Sequence, residues 1–265
     1  MKSIHDAGYF ACGLPFNRLG QGPEPLLAIP GLMFENKPMT GTFERMSLSN
    51  LKFLGEGYTV FVAGRRPGMT PGCQMGDIAA QYVTLIHEEF GRPVDVVGTS
   101  TGGSIALQLG ADHPDWVRRL VVHSSAYSLG PPAKALQLQV AERARRGDWV
   151  GAWKPLVASV LPPRLAGLIS GPVAHLLAFS APDDPSDLIT TIEAEDNFNM
   201  RDRLGEIAAP TLVIGGEEDP FYSPELFRET AAGIPNARLV LYPGMGHPAS
   251  GPKFRQEVLA FLIGG

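Results

Sequence analysis

Two cysteines in 265 residues, Cys12 and Cys73, are too few for a disulfide-stapled scaffold and lack metal-type spacing. Free thiols in a cytoplasmic protein are the plain expectation, with a single bridge left open. No segment offers the 18 or more uninterrupted apolar residues of a membrane span. The first twenty residues lack the apolar core of a secretory signal. Nor is there a basic amphipathic stretch of the kind that lies on a lipid surface. Clustered cations are scarce too. The formal net charge is −5, and the one basic run, Arg143, Arg145 and Arg146, is interrupted by Glu142. That run reads as a solvated helix face, so no nucleic-acid partner is expected. There is no internal repeat and no low-complexity tract. With 44% hydrophobic and 18% charged residues, the chain is neither disordered nor fibrous and is long enough to bury a sizeable core.

Short aliphatic runs alternate with longer helical patterns, which predicts βα units and a mostly parallel sheet. The expected strands are Leu26–Ile29, Thr59–Ala63, Val94–Val97, Leu120–His123, Thr211–Ile214 and Leu239–Leu241. They are apolar on both faces, as buried parallel strands should be. Segments Tyr9–Leu14 and Phe16–Leu19 read as an antiparallel edge hairpin. Ile78, Ala79, Tyr82, Val83 and Ile86 follow helical spacing, as do Ile105, Leu107, Leu109 and Ala111, and the closing set Phe254, Val258, Leu259 and Leu262. Asp77 and Ser223 are placed to cap helices, and Pro224 suits a first turn.

The alternation stops after Tyr127. Between Gly130 and Arg203 only helical stretches remain: Leu136–Arg146, Trp149–Leu161, Leu165–Leu177 and Ser186–Asn197. Breaks are expected at Pro162–Pro163, Gly171–Pro172 and Pro182 to Pro185. The expected organisation is a core of residues 1–129 and 204–265 with a helical cap at 130–203. Trp149, Trp153, Phe179 and Met200, with Leu161 and Leu177, are candidates to line an apolar substrate pocket beneath it. For each, packing of the insertion against itself is the competing reading.

The chemistry concentrates at Gly98-Thr99-Ser100-Thr101-Gly102, a G-x-S-x-G between an apolar strand and a helical pattern. A serine on so sharp a turn needs neighbours without a Cβ, which Gly98, Gly102 and Gly103 provide. The N-terminus of the following helix would place N–H groups where an oxyanion develops. A glycine-rich turn with a capping serine is the competing reading. A phosphate loop is disfavoured further, because the GK[ST] ending is absent.

Serine needs a base. His247 follows the last strand through a glycine-containing loop. His5, His87, His113 and His175 lie elsewhere, and His123, at a strand end, is the nearest competitor. Gly244-Met245-Gly246-His247-Pro248-Ala249 mimics a dinucleotide motif but has too little chain after it. The orienting acid should follow a strand between serine and histidine. Asp219 is preferred there, with Glu217 and Glu218 expected to be solvated.

On these motifs the chain resembles the α/β-hydrolase fold superfamily from Leu26 to the last helix. Gly98–Gly102, the Gly215-to-Asp219 loop, Gly246-His247 and the run Pro210–Gly215 carry the resemblance. It implies a mostly parallel central sheet flanked by helices, and a capped serine hydrolase with Ser100, Asp219 and His247 as triad. By the same resemblance the loop after the first parallel strand supplies an oxyanion donor. Many members have His-Gly there, whereas this chain has Pro30-Gly31. The implied donors are the N–H groups of Leu32 and Thr101, with Met33 as an alternative to Leu32.

The expected activity is hydrolysis of a small to medium carboxylic ester with an apolar part, without metal or organic cofactor. Carbon–carbon bond hydrolysis of a diketone or ring-fission product, lactone hydrolysis, and a non-catalytic receptor on the same fold are the alternatives. A dienedioate substrate would call for a cation, for which Arg65, Arg66 and Arg201 are candidates. Epoxide hydrolysis and dehalogenation are disfavoured, because those relatives carry Asp at the position of Ser100.

Overall fold

The chain is described from a computed structural model covering residues 6–40 and 48–264. Six strands form the expected parallel layer: β3 (Glu24–Ile29), β4 (Tyr58–Ala63), β5 (Val94–Thr99), β6 (Val117–His123), β7 (Thr211–Gly216) and β8 (Ala237–Tyr242). They follow the apolar runs closely, and each extends one to three residues past the aliphatic core of its run. Alternation explains their burial on both faces. In β3, Leu27 and Ile29 face one side of the sheet while Leu26 and Ala28 face the other. In β7, Val213 and the pair Leu212/Ile214 divide the same way.

Two further strands, β1 (Asp6–Tyr9) and β2 (Pro15–Leu19), form an antiparallel hairpin at one edge, where β2 also runs antiparallel to β4. The second strand lies where expected, but the first ends at Tyr9. Phe10 to Leu14 is the turn instead, closed by Phe10 N–H to the Leu14 carbonyl and Gly13 N–H to the Phe10 carbonyl. Gly13 there has φ +86°, a conformation that ends a strand.

The sheet order is β1-β2-β4-β3-β5-β6-β7-β8. Chain order therefore reverses between β3 and β5, which lie side by side in parallel register. Loops leaving the carboxyl ends of two such strands diverge to opposite sides and open a crevice, the usual ligand position in an open α/β sheet.

Helices α1 (Met75–Leu85) and α2 (Thr101–Asp112) pack on one face, and α8 (Pro252–Ile263) on the other, where Phe254, Val258 and Leu262 cover Leu26, Ala28 and Ile214. Ser223 caps α7 (Pro224–Gly233), accepting from Leu226 N–H. The cap of α1 differs from expectation. Gln74 holds that position, and Asp77, three residues on, accepts its backbone N–H at 2.8 Å in a reciprocal box.

Between β6 and β7 the chain forms α3 (Pro131–Arg145), α4 (Trp149–Val160), α5 (Pro163–Ala178) and α6 (Ser186–Asp196), with no strand among them. Pro172 does not break α5 as expected. It lies inside the helix, as Pro155 lies inside α4, and each costs one N–H bond to the preceding turn. The two helices pack along each other.

α6 is tied to the core. Asp187 at its start accepts the N–H groups of Gly68 and Met69 at 3.1 and 2.7 Å. Among the described residues no helix is long and apolar enough to cross a membrane.

Candidate active site

The turn from β5 into α2 holds Ser100 at φ 55° and ψ −126°, a backbone conformation that a residue with a side chain adopts only under constraint. The glycines around it explain how. A Cβ on Gly102 would collide with the carbonyls of Ile29 and Pro30, one on Gly98 with the Gly102 carbonyl, and one on Gly103 with Ser125. The Ser100 N–H donates to the His123 carbonyl at 2.9 Å, and its carbonyl accepts from Gly103 N–H at 2.6 Å, opening the helix. Thr101 is the first residue of α2, where backbone N–H groups have no partner inside the helix.

The loop after β3 passes directly over this turn. At Gly31 a Cβ would sit 3.2 Å from that of Ser100. Next in the chain, Leu32 packs towards the helical insertion and Met33 towards the opposite face of the sheet.

Loops after β7 and β8 supply the other two groups and bind each other. Glu217 N–H reaches the Tyr242 carbonyl and Glu218 N–H the Met245 carbonyl, both at 3.0 Å. Gly216 lets them close, because a Cβ there would strike the Met245 carbonyl. His247 Nε2 lies 3.1 Å from Ser100 Oγ, and Nδ1 lies 2.7 Å from Asp219 Oδ2. A carboxylate only accepts, so Nδ1 carries the proton and Nε2 is left to accept from the serine hydroxyl. Asp219 Oδ1 accepts the N–H groups of Phe221 and Tyr222 at 2.9 and 3.1 Å. Both carboxylate oxygens are thus engaged, and the side chain is wholly buried. Phe221 and Tyr222 also flank the imidazole, with ring centroids 4.7 and 6.1 Å from it.

Ser100, His247 and Asp219 are therefore brought into one hydrogen-bonded chain, while Glu217 and Glu218 are exposed. His123 plays another part. Its Nε2 bonds the Ala249 carbonyl at 2.7 Å, Nδ1 lies 3.0 Å from the Thr99 hydroxyl, and the ring stacks on Phe254. Burial pushes its pKa down to about 4, so it stands neutral and braces the segment after His247. His5 lies outside the described residues.

The insertion residues divide. Trp153 stacks on Phe34 at 3.5 Å between centroids, and Trp149 lies 6.0 Å from the same ring, with Leu32 packed on the cluster. Phe179 and Met200 do not join them. Phe179 is 88% exposed beyond the end of α5, and Met200 is buried in the main core with its N–H on the Tyr127 carbonyl. Of the candidate cations, Arg66 is exposed and Arg201 pairs with Glu229 at 3.3 Å near the surface. Arg65 is fully buried and donates from Nη2 to the Gly31 carbonyl at 3.2 Å. Burial lowers its pKa, opposed by electrostatic interactions with Tyr82, Glu195 and Asp187.

Sequence reasoning missed Glu195, a fully buried carboxylate on α6. Thr101 Oγ1 and Gln137 Nε2 donate to its Oε2 at 2.7 and 3.0 Å, and Ser104 Oγ and Tyr222 OH to its Oε1 at 3.0 and 3.4 Å. Burial pushes its pKa up, against the pull of Thr101, Gln137, Ser104 and Arg65. One signal could have exposed it. It continues the stripe of Leu188, Thr191 and Ile192 at helical spacing, on the face that α6 buries.

A cavity of about 220 Å³ adjoins the turn. Gly31, Leu32, Met33, Thr99, Ala249 and Phe254 line it, so it runs from the loop over Ser100 to the segment after His247. Among the described residues no group of His, Cys, Asp and Glu is clustered as a metal site, and Cys12 and Cys73 are unpaired thiols.

Comparison with known proteins agrees with this architecture. A pimeloyl-[acyl-carrier protein] methyl ester esterase of Neisseria meningitidis is 28% identical over 190 residues, 68% of this chain and 72% of that protein. Among solved structures, a hydrolase from Pseudomonas aeruginosa superposes with a TM-score of 0.78 at 22% identity, covering 99% of this chain and 100% of the other. The enol-lactonase of Burkholderia xenovorans gives 0.77 at 18% identity, over 97% and 99%. The family model described as the alpha/beta hydrolase family matches residues 26–259, from the first parallel strand into the last helix. With its sheet order and the turn after β5, this chain belongs to the alpha/beta hydrolase family of enzymes.

Proposed function

We propose that the protein is a serine hydrolase that cleaves a small to medium carboxylic ester with an apolar part. The observation that carries the reading is the chain of hydrogen bonds from Ser100 through His247 to Asp219, with Ser100 on a strained turn that glycines make possible. In the proposed cycle His247 Nε2 takes the Ser100 proton as Oγ attacks the ester carbonyl carbon. The carbonyl electron pair moves onto oxygen, where the N–H groups of Leu32 and Thr101 receive it, with Met33 as the alternative to Leu32. Collapse expels the alcohol, protonated by His247, and leaves an acyl group on Oγ. Water, deprotonated by His247, then releases the acid. Asp219 keeps the proton on Nδ1 throughout and offsets the positive charge of the ring. In this reading the insertion 130–203 is the cap.

An apolar part of the substrate is supported by the cluster of Phe34, Trp149 and Trp153, which packs beside Leu32 between the loop after β3 and the insertion. That a similar protein is named for methyl ester cleavage supports an ester over other acyl compounds. The positions of Arg66 and Arg201 weigh against a dienedioate substrate.

The test is hydrolysis of a p-nitrophenyl ester series from acetate to palmitate, with Ser100→Ala as control. Serine-dependent turnover with an optimum at short to medium chains is expected. A folded protein with no turnover anywhere in the series would contradict the ester reading.

A further inference from the structure

The insertion sends one charged side chain into the core, and it ends beside the site. Glu195 lies on α6, one of four helices between β6 and β7, yet all four of its hydrogen-bond donors come from other elements. Thr101 and Ser104 belong to the first turn and a half of α2, Gln137 to α3, and Tyr222 to the loop after β7. Two of these residues bear directly on the proposed chemistry. Thr101 supplies a backbone N–H to the oxyanion, and the Tyr222 N–H holds Asp219 Oδ1.

Burying a carboxylate completely is costly unless hydrogen bonds and a countercharge offset it. Here both are present. The four donors occupy both oxygens, and the fully buried guanidinium of Arg65 acts on Glu195 electrostatically while bonding the Gly31 carbonyl in the oxyanion loop. Arg65 Nε and Nη1 have no hydrogen-bond partner among the described residues, so its remaining compensation is charge. So expensive an arrangement is not needed to attach α6, because Asp187 already does that at the other end of the helix.

We propose that Glu195 is a positioning residue for acyl transfer, through which the insertion sets Thr101 on the oxyanion side and Tyr222 on the acid side of the site. It touches neither substrate nor reacting atoms and acts only through those two residues. The proposal rests on the reading of Ser100 as nucleophile.

The test is a double-mutant cycle between Glu195→Gln and Thr101→Val, followed by kcat and KM on a soluble short ester. Thr101→Val removes the hydroxyl and keeps the backbone N–H. Each single change is expected to lower kcat by about 10- to 100-fold, the cost of displacing an oxyanion donor rather than deleting it, with KM nearly unchanged. The double variant should lose no more than the worse single, since both cut the same link. Asp187→Ala, which cuts the other tether of α6 and reaches the site only through its charge on Arg65, should lower kcat less than Glu195→Gln does.

Unchanged kcat in Glu195→Gln, equal losses in Asp187→Ala, or a double variant in which the two losses multiply would each overturn the proposal. Should Glu195→Gln not fold, Thr101→Val and Ser104→Ala against Asp187→Ala carry the same comparison. Labelling of Ser100 by a fluorophosphonate in the wild type and its loss in Ser100→Ala is read separately. Turnover that survives Ser100→Ala would sink the nucleophile reading, whatever the Glu195 cycle shows.

Discussion

Replacing Asp219 with Asn changes one atom and forces a choice between two poor arrangements. In the native site Oδ1 accepts two backbone N–H groups and Oδ2 accepts His247 Nδ1–H. An amide has one acceptor and one donor end. If its oxygen faces Phe221 and Tyr222, its NH₂ meets His247 Nδ1. The ring must then carry its proton on Nε2, facing Ser100, where it cannot act as a base. Loss of the useful tautomer costs on the order of 10⁴ in kcat, or about 5 kcal/mol.

If the amide flips, the tautomer survives, but the NH₂ faces two buried N–H groups. Each unsatisfied donor costs about 1–3 kcal/mol. The flipped form is therefore populated at roughly one part in 30 to one part in 10⁴, from about 2–6 kcal/mol. Both routes give a loss in kcat of roughly 30-fold to 10⁴-fold with KM little changed, because the defect lies in proton transfer rather than binding. Steady-state hydrolysis of p-nitrophenyl butyrate by Asp219→Asn measures it. Activity within tenfold of wild type would refute the reasoning and direct attention to Glu217 and Glu218.

Three further outcomes are expected. Gly102→Ala should lower the thermal midpoint and abolish measurable turnover, since its Cβ meets two backbone carbonyls that cannot rotate away; a scanning calorimetry trace matching wild type would contradict this. Asp95, the second residue of β5, is buried and accepts two bonds from Arg118 and one from Tyr58. Asp95→Ala should destabilise by about 3 kcal/mol, the low end for breaking a buried pair because Arg118 keeps part of its solvent contact, and urea denaturation reads it. Finally, His123 has a folded pKa of about 4 against 6.5 for the free side chain. Between those values the unfolded chain binds more protons, so stability falls as pH drops from 6.5 towards 4, by up to about 3 kcal/mol. His123→Gln should flatten that part of the urea-midpoint profile, and an unchanged slope would contradict the assignment.

The parts of this molecule that sequence reveals are those fixed by local chemistry. Parallel strands buried on both faces leave unbroken aliphatic runs, and β3 to β8 were readable for that reason. The turn at Ser100 was readable because its backbone needs Gly98, Gly102 and Gly103 at fixed offsets. Other features depend on partners distant in the chain. Pro172 punctuates a sequence but not α5, which α4 supports from the side. Phe179 and Met200 looked alike as apolar insertion residues, and only tertiary packing sends one to solvent and the other to the core. Glu195 is the sharpest case. A glutamate on a helix normally reads as solvated, and its four donors lie between 27 and 94 positions away along the chain.

The central claim is that Ser100 carries the acyl group. Intact-protein and peptide mass spectrometry of the enzyme, acid-quenched during turnover of a p-nitrophenyl ester, tests it most directly. The account predicts one added acyl group, mapped to Ser100 and absent from Ser100→Ala. Sustained turnover with no adduct on Ser100, or with the adduct on another residue, would contradict it.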